Sequence, residues 1–456
     1  MGRLNCKMMF DRSDIAILGA GFNSIYACYR MLKDGKKVTL FLDGKKFGAS
    51  MNSLQWKDNI VDLGAHNLDL RTKIAKEFFS EILRDDLLVS KNAMFGSISA
   101  NKITDGIEFP DFFKKQSFEL NDIIKSIEGQ KNKYVAPNSL QELLYNRYGD
   151  LLLPFFEEQV KRFTAGKLSD LSKNSIVPLN FLSRIFFESD AKMEKCKLQS
   201  KALDNAFSVS IDSREHKFLG LNAFSMEHGY PRGGLGTFCS RAEKYLSDNG
   251  ALIIPSELKK LNVKKQSIEI VDNKGNIHKT DKVFSGMSTR QTFQLFSGIS
   301  QTPYQFFGGT ALQLFKVDLT DHKEGVSHDY LHDFSTNSDF FRASAIQIRA
   351  QKLKKGVISV EIPYDPIKEK RDWSLNRDKI WCRLKEIGFV PKDVNYLDHT
   401  VFSHDKTYMF PTIDESIIDE EITINLKENK IYTSPSFLRG RSAFIQFFEN
   451  LHINDL

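Results

Sequence analysis

Small residues near the start of the chain are spaced to bind a diphosphate. The sequence Gly19-Ala20-Gly21-Phe22-Asn23-Ser24 is a GxGxxG pattern in which Ser24 stands for the third glycine. Gly19 would permit a tight turn, Gly21 would let the backbone approach a pyrophosphate, and Ser24 is small enough for close packing of a helix on a strand. Unpaired N–H groups at the start of that helix would attract phosphates. We therefore predict a dinucleotide-binding loop at residues 19–24, with a turn that binds nothing as the alternative.

The residues around this loop have the pattern of a βαβ unit. Residues 15–18 form an apolar run typical of a buried strand, and residues 23–34 have helical periodicity. Gly35 stands where a glycine would end the helix, and residues 37–42 then have the composition of a second strand. These elements fit within about 30 residues, which is the size of a βαβ unit.

A carboxylate at the end of the second strand would bind the ribose hydroxyls of a dinucleotide. In a regular strand Val38, Leu40 and Leu42 share one face, which places Leu42 at the expected position and turns Asp43 the other way. Either the strand ends early and Asp43 turns back, or the ribose contact is missing. We favour Asp43.

Composition limits the classes of function. The chain has 456 residues, enough for two or three hydrophobic cores. Its net charge is +6, but basic and acidic residues are interspersed, so we expect no nucleic-acid partner and only a mild preference for anionic small molecules. The 37 phenylalanines fit core packing or an aromatic pocket around a planar cofactor.

Cysteines and apolar runs indicate the compartment. The five cysteines contain no CxxC pair, and no run of about 18 apolar residues exists, so we predict no transmembrane segment and a cytoplasmic protein. His328, His332 and Asp333 have a spacing that could suit a metal on a helix, but a third ligand is not evident. We therefore predict no metal site.

Changes of pattern suggest five segments. Residues 138–226 are mostly helical, with Gly149 and Pro154 breaking the longest amphipathic run, and a glycine-rich turn at residues 229–234 precedes another helix. We predict a first cofactor-binding segment, a helical substrate or lid region, a second cofactor-binding segment, a mixed substrate domain and a third cofactor-binding segment. Their ranges are 14–105, 106–226, 227–300, 301–405 and 406–456.

Three motifs together resemble one superfamily. GAGFNS, KVTLFLDGKKFGAS and IVDLGAHNLD, in this order, resemble the amine oxidase, protoporphyrinogen oxidase and UDP-galactopyranose mutase superfamily of FAD proteins. The resemblance implies an α/β fold: a Rossmann-like FAD-binding domain of the glutathione reductase type, built from discontinuous segments, plus an α+β substrate domain. It also implies FAD as cofactor and further cofactor-binding positions, which are Gly48, Ser50, Gly64, Ala65, His66, Leu258, Arg439, Gly440 and Arg441.

The chain departs from that family at several of its motif positions. Leu42 replaces the strand-ending Glu, Ala49-Ser50 replaces Gly-Arg, and the segment 437–442 stands where the family has a C-terminal Gly-Asp. These departures motivate a second hypothesis, a flavoprotein fold that lacks FAD and acts as a binding or scaffold protein. An NAD(P)-dependent dehydrogenase is disfavoured by the resemblance.

The leading hypothesis is an FAD-dependent oxidoreductase or a flavin-dependent mutase. The substrate would be small and polar, with a nucleotide sugar for surface polysaccharide synthesis as one candidate, and the protein could be an oligomer. His66 is a catalytic candidate because the resemblance places it beside the flavin; the alternative is a loop histidine bonded to backbone. Arg342 could clamp a carboxylate or diphosphate, or form a salt bridge.

Overall fold

The computed structural model describes most of the chain. The described residues are 12–64, 66–70, 72–90, 94–99, 102–112, 119–130, 136–210, 227–335, 337–368, 372–434 and 440–451.

The described strands form two large and two small sheets. They are β1 (Ser13–Leu18), β2 (Val38–Phe41), β3 (Leu54–Trp56), β4 (Asn59–Val61), β5 (Leu68–Asp69), β6 (Leu87–Ser90), β7 (Phe95–Ser99), β8 (Lys102–Asp105), β9 (His228–Pro231), β10 (Leu252–Ile254), β11 (Leu258–Val263), β12 (Ile268–Asp272), β13 (Ile277–Ser285), β14 (Phe306–Asp318), β15 (Tyr330–Asp333), β16 (Arg342–Ser344), β17 (Lys355–Tyr364), β18 (Asp398–Phe410) and β19 (Ile431–Thr433).

The α-helices cover both large sheets and form a separate helical region. They are α1 (Phe22–Lys33), α2 (Lys73–Leu83), α3 (Leu120–Glu128), α4 (Leu140–Tyr148), α5 (Leu153–Lys161), α6 (Asp190–Gln199), α7 (Lys201–Ala206), α8 (Leu235–Asp248), α9 (Thr289–Ser297), α10 (Ile346–Ala350), α11 (Arg377–Glu386), α12 (Ile413–Glu428) and α13 (Gly440–Asn450).

The first large sheet has a parallel core in the order β10-β2-β1-β13-β19. The first half of β13 also pairs with β12, and β12 pairs with β11, in an antiparallel arrangement. The strands therefore come from three distant parts of the chain. This confirms the predicted α/β fold with a Rossmann-like domain built from discontinuous segments.

Helix α1 is buried on most of its surface. Ile25, Cys28 and Tyr29, which share the predicted apolar face, are buried, and Tyr26 and Met31 are buried as well. The reason is that α1 packs against α8 and α13 in addition to the sheet. The helix ends at Lys33, and Gly35 follows with a φ of 73°, a left-handed conformation that favours glycine.

The second large sheet has the order β18-β14-β17-β16-β15-β7-β8. On one face, Phe315 and Val360 belong to a core that also holds Trp381 of α11. On the other face, Leu312 and Leu314 pack with Val61 at the end of β4. The second sheet thus faces the loop that follows β4. This loop carries the sequence DLGAH at positions 62–66, called the DLGAH motif below.

Helices α3 to α7 pack around a core that includes Tyr148, Phe156 and Phe207 and that also contains Phe410 at the end of β18. The predicted break of the longest helical run is confirmed, because α4 ends before Gly149, whose φ is 71°, and Pro154 lies in the first turn of α5. The last part of the predicted helical stretch, residues 211–226, lies outside the described residues.

Strand pairing crosses two of the predicted segment boundaries. Strands β7 and β8, which the first predicted segment includes, pair within the second sheet, where β7 lies parallel to β15. Strand β18 continues to Phe410 beside β14, five residues beyond the predicted boundary at 405. Long-range pairing determines both assignments, and local patterns carry no information on it.

Candidate functional site

Close packing determines which residues fit in the loop between β1 and α1. Gly19 has a φ of 108°, and a Cβ there would lie 2.9 Å from the Oγ of Ser24 and 3.1 Å from the side chain of Met287. The buried Ser24 hydroxyl donates to the carbonyl oxygen of Leu18 at 2.9 Å. A Cβ on Gly286 would lie 2.9 Å from the Ser24 backbone nitrogen. Only a small residue at position 24 allows this close packing of α1 on the sheet.

Gly21 differs from Gly19 because it borders open space. A Cβ on Gly21 would meet no protein atom within 4 Å, and no side chain caps the start of α1. The positive end of this helix is thus accessible, as a bound diphosphate requires. The adjacent Phe22 is buried and packs on Phe79 and Phe444, so its side chain belongs to the core, whereas Asn23 is partly exposed.

The end of β2 turns Asp43 toward the adjacent segment. The strand ends at Phe41, and Asp43 adopts a φ of 51°. Its Oδ1 accepts a hydrogen bond from the Leu258 backbone nitrogen at 2.9 Å, while Leu42 is buried. The strand therefore ends before Leu42, as the alternative with Asp43 turned back assumes. The structure brings Asp43 and Leu258 together, and a ribose contact stays a prediction.

The segment after Asp43 lies against the glycine loop. The Gly48 backbone nitrogen donates to the Ala20 carbonyl oxygen at 2.8 Å. Gly48 has a φ of 91°, and a Cβ there would overlap the sulfur of Cys239 in α8. Ser50 follows on the surface. This close approach to a helix explains the glycine at position 48.

Asp62 of the DLGAH motif is a structural anchor that sequence reasoning gave no role of its own. Its Oδ1 accepts from the Ser53 hydroxyl at 2.5 Å and from the Leu235 backbone nitrogen at 3.0 Å. Its Oδ2 accepts from the Tyr230 hydroxyl at 2.6 Å. The carboxylate thus joins the loop after β4 to β9 and to the start of α8.

His66 is held between the same loop and the last helix. Its Nε2 lies 2.8 Å from the Leu63 carbonyl oxygen, and its Nδ1 lies 3.1 Å from Nη2 of Arg441. Burial and the charges of Arg441 and Arg342 lower the pKa of His66 to about 3. The ring is therefore neutral, and it donates through Nε2 and accepts through Nδ1. Ala65 and Arg439 lie outside the described residues.

Arg342 is already engaged by a carboxylate. Its Nε and Nη2 each donate to one oxygen of Glu361 at 2.8 Å. Burial alone would lower the pKa of Arg342, but Glu361 outweighs this effect and the pKa is raised. A Cβ on Gly64, whose φ is 107°, would lie 3.2 Å from Glu361 Oε1, so this pair lies against the DLGAH loop. The sequence did not reveal Glu361 as the partner of Arg342, because the register of β16 on β17 places the two residues opposite each other.

A shallow cleft, open to solvent, lies between this loop and the second sheet. Its lining includes Asp62, Gly64, His66, Tyr230, Ser344 and Ser359. The cleft thus brings together the DLGAH loop and two serine side chains of the second sheet.

The histidine pair considered for a metal does not lie on a helix. His332 is in strand β15 and His328 lies just before it, with its Nε2 2.9 Å from Oδ1 of Asp105. Within the described part of the chain, no group of three or more histidine, cysteine or acidic side chains could hold a metal ion. Among the same residues, no helix has the length and apolar character needed to cross a membrane.

Sequence comparisons find a relative for only one part of the chain. A family model described as an NAD(P)-binding Rossmann-like domain matches residues 17–82. No curated protein sequence matches the chain.

The whole chain also matches solved structures. A reduced UDP-galactopyranose mutase aligns over 97% of this chain and 93% of its own, with a TM-score of 0.68 and 14% identity. A proposed protoporphyrinogen oxidase from an Exiguobacterium species aligns over 98% and 100%, with a TM-score of 0.62 and 13% identity. Cyclohexylamine oxidase from Brevibacterium oxydans aligns over 97% and 100%, with a TM-score of 0.58 and 12% identity. The chain therefore has the fold of these solved structures, and its residues 17–82 match a Rossmann-like domain.

Proposed function

We propose that the protein is an FAD-dependent enzyme, an oxidoreductase or a mutase, whose reaction takes place at the cleft beside His66. The observation that carries this proposal is the open space at Gly21, at the positive end of α1. Bound FAD would supply the electron-transfer chemistry that no side chain provides.

Different segments of the chain would bind different parts of the cofactor. The backbone of residues 19–24 would hold the diphosphate, Asp43 the ribose, and the backbone near Leu258 the adenine. The segments 48–50 and 64–66, with the start of α13, would hold the isoalloxazine. Their part in the chemistry is to orient this ring toward the cleft and to keep water away from it.

The substrate would be small and polar. Ser344 and Ser359 offer hydroxyl groups to the cleft. Because Glu361 already occupies two donor groups of Arg342, a substrate carboxylate or phosphate would have to share this guanidinium with it. A nucleotide sugar is one candidate of this description, and surface polysaccharide synthesis would then be the role. The free cysteines of the described residues suit the cytoplasm.

The experiment compares two glycine variants. Gly21→Val should fold, since a Cβ there meets no protein atom within 4 Å, but it should abolish FAD binding because its side chain fills the diphosphate space. Gly325→Val is the matched control: a Cβ on Gly325 would also meet no protein atom within 4 Å, and this glycine lies in an exposed loop. The measurement is flavin absorbance after incubation with FAD and removal of the excess.

The outcomes separate three functions. Yellow wild type and Gly325→Val with colourless Gly21→Val would support the flavoenzyme. Stoichiometric NADH binding without flavin would support a dehydrogenase. A colourless wild type that binds neither would support the scaffold protein, for which the buried Leu42 in place of a ribose-binding Glu is the main argument.

A further inference from the structure

Strand β18 forms one edge of the second sheet. It pairs with β14 on one side, and no strand in the described part of the chain pairs with its other side. The His399 backbone N–H donates to the carboxylate of the adjacent Asp398 at 2.8 Å, so it points away from β14. Because backbone groups alternate in direction along an antiparallel strand, the N–H groups of Val401 and Ser403 also point away from β14. The outer edge of β18 thus offers backbone groups to a further strand.

A bulge limits the regular part of this edge. Pairing with β14 keeps one register from Asp398 to His404, and residues 405–407 then stand opposite the single residue Gly309. A bulge of this kind interrupts the pairing of a strand edge with another strand. The segment available to a further strand is therefore 398–404, and Val401 is its central residue.

Large apolar side chains border this segment. Leu397, directly before β18, is 64% exposed, and Phe402 within it is 37% exposed. Leu375 is 79% exposed and belongs to the turn Trp373–Asn376, which lies against β18. Soluble proteins normally protect such an edge with lysine, proline or a covering element, but segment 398–404 contains neither lysine nor proline. This edge therefore favours pairing with another strand.

The segment matches itself in the antiparallel direction. A two-fold axis at Val401 would place the outward N–H groups of each copy opposite outward carbonyl oxygens of the other, as a hydrogen-bonded antiparallel pair requires. Phe402 would then lie opposite Thr400 of the second copy, and Asp398 would lie opposite His404 of the second copy. Apolar residues thus meet at the centre, an acid meets a histidine at each end, and no like charges are opposed.

We propose that the protein forms a two-fold symmetric dimer in which β18 pairs antiparallel with β18 of a second copy, centred on Val401. The second sheets of the two copies then form one continuous sheet. Two-fold symmetry is the commonest arrangement of soluble homo-oligomers. Because the paired segment is short, the interface is small, and we expect reversible association in the micromolar range. The dimer does not depend on bound FAD, so it goes beyond the proposed function and is tested separately from it.

Disulfide formation tests the register. In a background with Cys6→Ser and Cys382→Ser, Val401→Cys should give a disulfide-linked dimer on mild oxidation, because directly opposed Cα atoms lie about 5.5 Å apart. Ser403→Cys is the matched control, since the two copies of position 403 would be four residues apart along the pair, roughly 13 Å. Non-reducing electrophoresis measures the linked fraction. Equal fractions in both variants, or no linked dimer in Val401→Cys, would overturn the proposal.

Sedimentation equilibrium of the full chain at several concentrations tests the association itself. Phe402→Lys should raise the dissociation constant of the dimer at least about tenfold, because it removes an apolar contact and places two like charges beside the axis. Ile424→Lys is the control, because Ile424 is also exposed but lies on α12, and it should associate like the wild type. Circular dichroism checks that both variants fold.

Three results of this experiment would overturn the proposal. The first is a wild type that stays monomeric at every concentration. The second is a dimer that Phe402→Lys leaves unchanged, which would place the interface on another face. The third is equal weakening by Phe402→Lys and Ile424→Lys, which would show that the added charge acts without regard to position.

Discussion

His66 illustrates how a candidate catalytic residue acquires a different role from its contacts. Both ring nitrogens are engaged, one by the Leu63 carbonyl oxygen and one by Arg441, and the low pKa keeps the ring neutral. Such a histidine orients other groups and does not exchange protons near neutral pH.

This neutrality has a measurable effect on stability. The pKa of His66 falls from 6.5 to about 3 in the folded protein, so the unfolded chain binds a proton that the folded chain excludes. Stability from this group is therefore lost as pH falls below 6.5. Between pH 7 and pH 5, the free energy of unfolding should fall by up to about 2 kcal/mol more in the wild type than in His66→Gln. Urea unfolding at the two pH values measures this, and identical pH dependence in both proteins would refute it.

Sequence reasoning identified single residues where the chemistry is local. The small side chain at Ser24 and the open position at Gly21 follow from the spacing of one loop, and both agree with the structure. The sequence did not predict the pairing of Glu361 with Arg342 or the hydrogen bond of Asp62 with Tyr230, because these partners lie in different elements of the chain. One sequence does not reveal which strand lies beside another.

At the scale of elements, the register of β16 on β17 places Arg342 opposite Glu361. Local patterns predicted the strands and helices of the βαβ unit, because their periodicity and glycine positions are contained in a short stretch. Local patterns did not reveal that β7 and β8 lie in the second sheet, because the pairing of β7 with β15 is a long-range property.

The Arg342–Glu361 pair should contribute strongly to the stability of the second sheet. Arg342→Met would leave the buried Glu361 carboxylate without its cation, so we expect a loss of about 3 kcal/mol. Thermal or urea unfolding measures this change. Lys355→Met is the control on the same sheet, because its ion pair with Asp318 is exposed and should contribute little. Equal losses in both variants would contradict the assignment.

At the scale of the whole molecule, a bound cofactor would join the two domains. The cleft lies between the DLGAH loop and the second sheet, so FAD in this position would contact elements of both. A ligand that binds only the folded protein stabilises it by about 2.7 kcal/mol at a hundredfold excess over its Kd.

We therefore expect FAD to raise the melting temperature of the wild type by several degrees. Gly21→Val should melt at the temperature of the wild type without FAD and should not respond to FAD. Differential scanning calorimetry with and without FAD distinguishes the two proteins. A similar rise in Gly21→Val would show that FAD stabilises the chain from another position.

The composite first sheet also has a consequence for biosynthesis. Its parallel core takes strands from residues 13–41, 252–285 and 431–433, and α13, which carries Arg441, comes later still. A ribosome would synthesise the glycine loop long before the strands and the helix that complete its surroundings. The nascent chain would then have to keep the early βαβ unit from aggregating until β19 and α13 have been synthesised.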